Sequence, residues 1–255
     1  MIRSIANSHN LWVVEDACES LGGLAEKSSQ KKKLGTFGIM GTYSFFRSHH
    51  ISTMEGGMLV TDDFETYALA KSMRAHGWGR DVPDSVELGI SRNDPWKEKF
   101  RFYVPGFNLR PLEMSGAIGS VQLRKLDEFI SERRANAQFL QSRISEVAGI
   151  SLQKQSLNGS WMAFAFCLNE SFSESRGKLI ENLERCGVET RPVVTGNFVN
   201  QPVIKKIRDS VSLKESYDFA EKIERCGFMI ANHGRDLKQE LERVVEIIQS
   251  TLSTK

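Results

Sequence analysis

Hydrophobic and polar positions follow two different periods along the chain, and the change of period separates predicted strands from predicted helices. Short apolar runs predict strands at 10–16, 41–46 and 57–61. The first run ends in Glu15 and Asp16. We therefore expect a buried parallel strand that presents carboxylates at its C-terminal end, where open α/β sheets bind their ligands.

Helical spacing of apolar residues follows these strands. Asp62 and Asp63 are suited to cap a helix over 64–76. Pro111 is suited to the first turn of a long helix that runs to about residue 147 and bridges two domains.

The segment between these helices, 77–108, has no clear periodicity and predicts a long loop, which in a compact domain is usually functional. The C-terminal part alternates between the two periods, which predicts a small α/β domain. Its predicted strands and helices are 161–168, 188–194, 174–186, 213–226 and 237–252. We expect the start of the bridging helix to lie in a first domain, 1–131, and a small domain to occupy 132–255.

Composition narrows the class of protein. The 255 residues are 40% hydrophobic with a net charge of +2, and basic residues do not cluster with aromatic ones, so nucleic-acid binding is not expected. No apolar run is long enough for a leader or a membrane span, which predicts a cytoplasmic protein without a membrane partner. The four cysteines lack metal-ligand spacing, so no metal is expected. The Lys31 to Lys33 run is expected to form a solvated hairpin tip.

The candidate catalytic and binding residues are indicated by the order and spacing of several short motifs. A strand-end Asp is followed by Ser-x4-His-His and Glu-Gly-Gly after a second strand, and then by Pro-Gly-x-Asn-x-Arg-Pro. Taken singly, each residue has an ordinary structural explanation. An acid at a strand end can be a cap, and an Asn after Gly can be a turn former.

Five segments together resemble consecutive motifs of the DegT/DnrJ/StrS sugar aminotransferases. They are 15–20, 35–38, 44–57, 74–78 and 105–117. The resemblance implies an α/β fold of the pyridoxal-phosphate-dependent transferase type I (aspartate aminotransferase) class, here the C-terminal part of the large domain plus the small α/β domain. It also implies that the chain lacks the N-terminal portion that grips the cofactor phosphate. We therefore expect weak cofactor binding by this chain alone and an unpaired sheet edge.

His49 stands where ordinary members of this family carry the lysine that forms a Schiff base with the cofactor. Imidazole cannot form that bond, so the resemblance implies noncovalent pyridoxal 5'-phosphate or pyridoxamine 5'-phosphate, with His49 free as acid and base. The implied reaction is C3 dehydration of a nucleotide-linked 4-keto-6-deoxyhexose, with glutamate as the amino donor that restores the cofactor. Such sugars point to deoxysugar and lipopolysaccharide O-antigen biosynthesis.

The resemblance assigns three cofactor contacts within one subunit. Asp16 would pair with the pyridine nitrogen, Ser44 would contact the phosphate, and Glu19 would lie beside the ring. A structural carboxylate, a turn serine and a solvated helix-face acid are the respective alternatives.

One further position is implied to serve the shared site of a homodimer. Asn108 would reach the cofactor phosphate of the neighbouring subunit. Arg80 and Arg110 are candidates for binding substrate phosphate or the glutamate carboxylate, because guanidinium suits planar anions, and ordinary ion pairs are the alternative. Trp161 either borders the sugar site or is a core aromatic.

Two other functions stay open. A sugar-nucleotide aminotransferase would have lost its lysine or would use another one, and both Lys71 and the Lys31 to Lys33 run lie away from the motif. A catalytically inactive remnant would serve only as a dimerisation partner.

Overall fold

A computed structural model of the protein describes residues 2–27, 30–90, 94–154, 156, 158–213 and 216–253. The chain forms two compact units, Met1–Asp127 and Glu128–Lys255. The functional assignment of 1–131 and 132–255 as cofactor-binding and small domains stays a prediction.

The first unit begins with helix α1 (Ile2–Ser8), strand β1 (Val14–Asp16) and an antiparallel pair, β2 (Leu24–Lys27) and β3 (Gln30–Lys33). The Lys31 to Lys33 run therefore lies within a strand, and the expectation of a hairpin tip at these lysines is wrong. Lys32 is held by a hydrogen bond from its ammonium to the Thr36 carbonyl. The two residues between β2 and β3 lie outside the described part of the chain.

Strand β4 (Met40–Ser44) is central in a three-stranded sheet of order β1-β4-β5, with β5 at Gly57–Val60. β1 pairs with β4 in parallel and β4 with β5 in antiparallel fashion, as the three apolar runs predict in number and position. The expectation that the first strand is buried is wrong, because Trp12 and Val14 are 86% and 56% exposed. Among the described residues no element covers these side chains.

Helix α2 (Phe64–Met73) begins at the predicted cap: the Asp63 carboxylate accepts a hydrogen bond from the Thr66 nitrogen at 2.7 Å. The predicted loop after it is partly ordered into a short helix, α3 (Pro95–Glu98), which Asp94 caps. Backbone hydrogen bonds also join the segment 73–79 to the segment 101–109, so the two ends of this loop are held together. We call these two ranges the clamped segments.

Helix α4 (Glu113–Ile144) is the long helix that the sequence predicts, and its residues fall in both units. Its first half carries exposed apolar side chains such as Met114 and Leu123. Its second half buries Ala137 and Leu140 completely in the core of the second unit.

The second unit is built on an antiparallel sheet of order β6-β7-β9-β8. The strands are β6 (Ile150–Leu152), β7 (Ala163–Leu168), β8 (Thr190–Arg191) and β9 (Gly227–Ala231). Its helices are α5 (Ser175–Arg185), α6 (Pro202–Ile207), α7 (Asp218–Cys226) and α8 (Lys238–Leu252). Inward side chains alternate along β7, as expected for a sheet with one buried face.

The core of the second unit is aromatic. Phe166 and Phe228 stack with ring centroids 5.0 Å apart, and Trp161 and Phe164 are also fully buried. Each such side chain contributes roughly 1.5–3 kcal/mol through burial. The position of Trp161 agrees with the core explanation.

Sequence reasoning missed β9, although this strand is central. The predicted helix ends correctly at Cys226, but Gly227–Ala231 follows it directly without a turn of its own. A Cβ at Gly227 would lie 2.5 Å from the Ile223 carbonyl oxygen, so a glycine allows this abrupt change from helix to strand. A glycine before a short apolar run was the signal available.

Arg133, a residue of α4, is buried in the second unit and is 3% exposed. Its guanidinium donates hydrogen bonds to the carbonyl oxygens of Asn232 at 2.5 Å and Met162 at 3.1 Å, with a longer one to Trp161 at 3.4 Å. Burial lowers the pKa of Arg133 to about 10, so the side chain remains charged at neutral pH. Backbone carbonyl groups therefore accept from one end of this guanidinium, whereas its buried Nε has no hydrogen-bond partner among the described residues.

Candidate active site

The candidate site begins where the parallel strands β1 and β4 end. Asp16 is directly opposite Thr42 in the register, and Ser44 is the last residue of β4. The carboxyl ends of parallel strands meet at one edge of a sheet, so the fold brings the predicted Asp16 and Ser44 to the same edge.

Asp16 is exposed and ionised. Its Oδ1 accepts hydrogen bonds from the Cys18 backbone nitrogen and from the Thr42 hydroxyl, both at 3.2 Å. The hydrogen bonds from Cys18, and then that from Thr42, hold the pKa of Asp16 below its ordinary value. A carboxylate that stays charged near neutral pH can pair with a protonated nitrogen of a bound ligand.

Glu15, the preceding residue, holds a loop instead of facing a ligand. Its carboxylate accepts hydrogen bonds from the backbone nitrogens of Gly35 at 2.8 Å and Gly38 at 2.6 Å, and also from that of Phe37. Neighbouring side chains of a strand point to opposite faces, so the two acids of this pair have different tasks. Sequence reasoning missed this role of Glu15.

The loop that Glu15 holds lies against the sheet. A Cβ at Gly38 would lie 2.1 Å from the Val13 carbonyl oxygen, and one at Gly41 would lie 2.0 Å from the Gly35 carbonyl oxygen. The glycines of the motif at 35–38 therefore serve close backbone approach beside β1 and β4.

A tight turn follows β4 and places His49. The Ser44 hydroxyl accepts a hydrogen bond from the Phe46 nitrogen at 3.2 Å, and the His49 nitrogen donates to the Phe46 carbonyl oxygen at 2.9 Å. Two further bonds at 2.9 Å, from the Phe45 nitrogen to Gly56 and from the Thr53 nitrogen to Phe45, tie this turn to the segment before β5. The turn is thus fixed by its own backbone.

The His49 ring packs against one aromatic ring and, within the part of the chain that the structure describes, keeps one ring nitrogen without a hydrogen bond. It meets the Phe46 ring in a T-shaped contact with centroids 5.8 Å apart. Its Nδ1 is buried and has no hydrogen-bond partner within the described residues. A buried polar atom that the protein leaves unpaired is a candidate for contact with a ligand. The next residue, His50, is 3% exposed, which agrees with a packing role.

The two predicted substrate-binding arginines meet at one aromatic ring. The guanidinium carbons of Arg80 and Arg110 lie 4.6 Å and 5.9 Å from the centroid of the Trp78 ring. Both distances fall within the range of cation–π attraction. The ring also contacts those of Phe100 and Phe102, with centroids 5.9 Å and 5.7 Å away.

Asn108 and Glu19, the last two of the predicted site residues, are both exposed. Asn108 forms a backbone bridge with Ala75, in the same pair of segments that carries Trp78 and Phe102. Glu19 lies beyond the end of β1, close to Asp16 along the chain. The fold thus forms two groups in the first unit. Asp16, Ser44 and His49 lie at or after the strand ends, whereas Asn108 lies on a clamped segment and Arg80 and Arg110 each follow the last residue of one.

Neither a metal site nor a membrane-spanning helix is supported by the described residues. Within the described ranges, no group of three or more His, Cys, Asp or Glu side chains is placed to hold a metal ion. Among the helices described, none is both long enough and apolar enough to pass through a bilayer.

Comparison with known proteins identifies the family of the chain. The model of the DegT/DnrJ/EryC1/StrS aminotransferase family matches residues 1–249. The chain is 40% identical over 97% of its length to the GDP-4-keto-6-deoxy-D-mannose 3-dehydratase of Escherichia coli O55:H7, and 41% identical, again over 97%, to that of Yersinia pseudotuberculosis. These matches cover 63% and 62% of the two relatives.

A solved structure of the E. coli enzyme with bound hydrated PLP superposes with a TM-score of 0.88. That match has 40% identity and covers 97% of this chain and 62% of that one. The expected α/β fold class of the pyridoxal-phosphate-dependent aminotransferases is therefore confirmed.

Proposed function

The chain belongs to the DegT/DnrJ/EryC1/StrS aminotransferase family, and from this premise we propose that it removes the C3 hydroxyl group of a nucleotide-linked 4-keto-6-deoxyhexose. The substrate is of the GDP-4-keto-6-deoxymannose type, and pyridoxamine phosphate is the noncovalent cofactor. The observation that carries the proposal is the buried Nδ1 of His49, which has no hydrogen-bond partner among the described residues. The resemblance of the segment 44–57 to the family motif implies that His49 replaces the Schiff-base lysine.

His49 is the acid and base of the reaction. A neutral imidazole accepts a proton at one ring nitrogen and can return it later in the reaction. The turn that follows Ser44 fixes the backbone at His49, and Phe46 limits rotation of the ring. The side chain would take a proton from the cofactor carbon and give one to the leaving hydroxyl group.

Asp16 orients the cofactor ring and preserves its charge. The cofactor, when bound, supplies an electron sink that makes loss of the C3 hydroxyl group possible. The lowered pKa of Asp16 keeps this carboxylate ionised, so it can hold a proton on the pyridine nitrogen. Its hydrogen bonds from Cys18 and Thr42 fix the position of the accepting oxygens.

Ser44 and Glu19 would complete the contacts of one subunit. The Ser44 hydroxyl accepts one hydrogen bond from the Phe46 nitrogen, which leaves its own proton to donate to a phosphate oxygen. Glu19 is exposed close to Asp16 along the chain and would lie beside the ring.

Asn108, Arg80 and Arg110 would serve a homodimer with shared active sites. Asn108 is exposed and its backbone is fixed by the bridge to Ala75. Its amide would contact the cofactor phosphate of a neighbouring subunit. The arginines would bind the anionic groups of the substrate or of glutamate, the amino donor. The setting would be cytoplasmic deoxysugar synthesis for O-antigen polysaccharide.

Two other functions have less support. An aminotransferase would need a lysine near the strand ends, whereas Lys71 lies on α2 with its ammonium 3.2 Å from the Tyr67 hydroxyl. An inactive dimerisation partner would have no need for the free His49 nitrogen or for an ionised Asp16.

Cofactor binding tests the proposal in two measurements. An absorbance titration with pyridoxamine phosphate should show saturable binding that Asp16→Ala weakens. After incubation with pyridoxal phosphate and reduction with borohydride, mass spectrometry should find no cofactor on peptides that contain His49, whereas His49→Lys should gain one. Saturable binding that is unchanged in Asp16→Ala, or a reduced adduct on a native lysine, would contradict it.

A further inference from the structure

We propose that Trp78, Phe100 and Phe102, with Arg80 and Arg110, form a binding site for the nucleoside diphosphate part of the substrate. We call these five residues the Trp78 platform. This inference rests on the proposed function and assigns the two halves of the nucleotide to different side chains. The base stacks on the phenylalanine rings, and the diphosphate contacts the guanidinium groups.

The aromatic side of the platform is open to solvent. Phe100 is 69% exposed and Phe102 is 56% exposed, although both contact Trp78. Burying a phenylalanine ring contributes roughly 1.5–3 kcal/mol, so two neighbouring rings left at the surface mark a place where a flat partner gains by stacking. Every nucleobase offers such a face.

The cationic side of the platform is poorly neutralised. Arg110 has no ion-pair partner within the described residues. The carboxylate of Asp81 is 3.9 Å from Arg80, and these two side chains are 73% and 43% exposed. Exposed pairs of this kind contribute little. Two guanidinium groups on one ring therefore present fixed positive charge, and guanidinium binds phosphate in a bidentate manner.

Hydrogen bonds of neighbouring residues fix the backbone that carries the Trp78 platform. Glu98 is 8% exposed and accepts a hydrogen bond from Arg101 at 3.0 Å and another from the Tyr103 hydroxyl. Backbone bonds from Gly79 to Arg101, at 3.1 Å, and from Tyr103 to Gly77, at 2.8 Å, fix the strip on either side of Trp78. A site fixed before binding loses less entropy when the ligand arrives.

A ligand with a flat base and a charged diphosphate explains why exposed aromatic rings and guanidinium groups occur together in the Trp78 platform. A free phosphate or a carboxylate donor such as glutamate would use the arginines and gain nothing from Phe100 or Phe102. A purely apolar partner would gain from the rings and leave the arginines unpaired. A nucleoside diphosphate uses both groups at once, as in stacking sites for nucleic acid bases.

Calorimetric titration of the full chain with GDP tests the inference. GDP should bind more tightly than either guanosine or inorganic pyrophosphate. Phe100→Ala and Phe102→Ala should each weaken GDP binding about 10-fold, as expected for loss of one stacking contact, and leave pyrophosphate binding unchanged. Arg110→Ala should weaken both ligands. Phe219→Ala, which removes a ring that is 86% exposed in the second unit, is the matched control and should bind GDP as the unaltered chain does.

The inference is overturned if GDP binds no more tightly than pyrophosphate, or if Phe100→Ala and Phe102→Ala both behave like Phe219→Ala. It is also overturned if these two variants abolish self-association in sedimentation while GDP binding is unchanged, because the rings would then be a contact between copies of the chain. Pyridoxamine phosphate titrations of the same samples separate the two proposals. Cofactor binding without GDP binding rejects only the platform, and GDP binding without cofactor binding rejects only the proposed reaction.

Discussion

Glu15 Oε2 lies 2.6 Å from the backbone nitrogen of Gly38. This contact, with those to Gly35 and Phe37, fixes the loop 35–38 beside β1 and β4. The carboxylate that precedes Asp16 thus supports the strand end at which Asp16 is presented. A residue with this role affects stability first and cofactor binding second.

Glu15→Gln should lower the free energy of unfolding by about 2 kcal/mol, because a neutral amide has one acceptor oxygen for donors that now share two charged ones. Denaturant unfolding followed by circular dichroism measures the change. Glu55→Gln is the control, since Glu55 is exposed on a nearby segment. Equal stability of the two variants would show that the carboxylate does not hold the loop.

The pKa of Asp16 should lie below the ordinary value of 3.8 when it is measured by NMR titration. Thr42→Val removes one donor and should raise the pKa in part, because the bonds from Cys18 remain. A folded pKa below the unfolded one means that this stabilisation is present above pH 3.8 and is lost as pH falls through the folded pKa. A measured pKa at or above 3.8 would contradict the hydrogen bonding described here.

Gly77→Ala should destabilise the chain by about 3 kcal/mol, because Gly77 has a φ of +86° and a Cβ there would lie 1.7 Å from the Val104 carbonyl oxygen. Gly116→Ala is the matched control. Gly116 lies in α4 with nothing within 4 Å of an added Cβ, so alanine should stabilise the helix by about 0.5–1 kcal/mol. Thermal unfolding measures the stability of both variants. A change in stability of the same sign in both would contradict the close backbone contact between Gly77 and Val104.

Arg133→Ala should cost the second unit about 3 kcal/mol, because the carbonyl oxygens of Asn232, Met162 and Trp161 lose a charged donor. Urea unfolding measures it. Arg185→Ala, which removes a guanidinium 67% exposed and paired with Glu181, should change stability by less than about 0.5 kcal/mol. Similar losses in both variants would mean that Arg133 does not support this core.

The sequence predicted those helices and strands whose positions are set by residues within the same short segment. The cap at Asp63 follows from the residue types at the start of that helix. The long helix was also predicted, but it begins at Glu113 and ends at Ile144, inside the predicted bounds of 111 and 147. The exposure of Trp12 and Val14 could not be predicted, because an apolar run indicates a strand without showing what covers it.

The candidate site divides in the same way. The strand-end position of Asp16 follows from the pattern of its own run. The task of Glu15 depends on a loop far along the chain, and the meeting of Arg80 and Arg110 on Trp78 depends on pairing between 73–79 and 101–109. Such pairing is set by tertiary contacts that no single segment records.

The most direct test of the account is ammonia release from GDP-4-keto-6-deoxymannose and glutamate at saturating pyridoxamine phosphate, with the chain compared with His49→Asn. The chain should release ammonia together with a 3,6-dideoxy-4-keto sugar, and His49→Asn should bind the cofactor equally well but lose this activity. Equal release by both proteins, an amino sugar in place of ammonia, or no product from the cofactor-saturated chain would contradict the central role of His49.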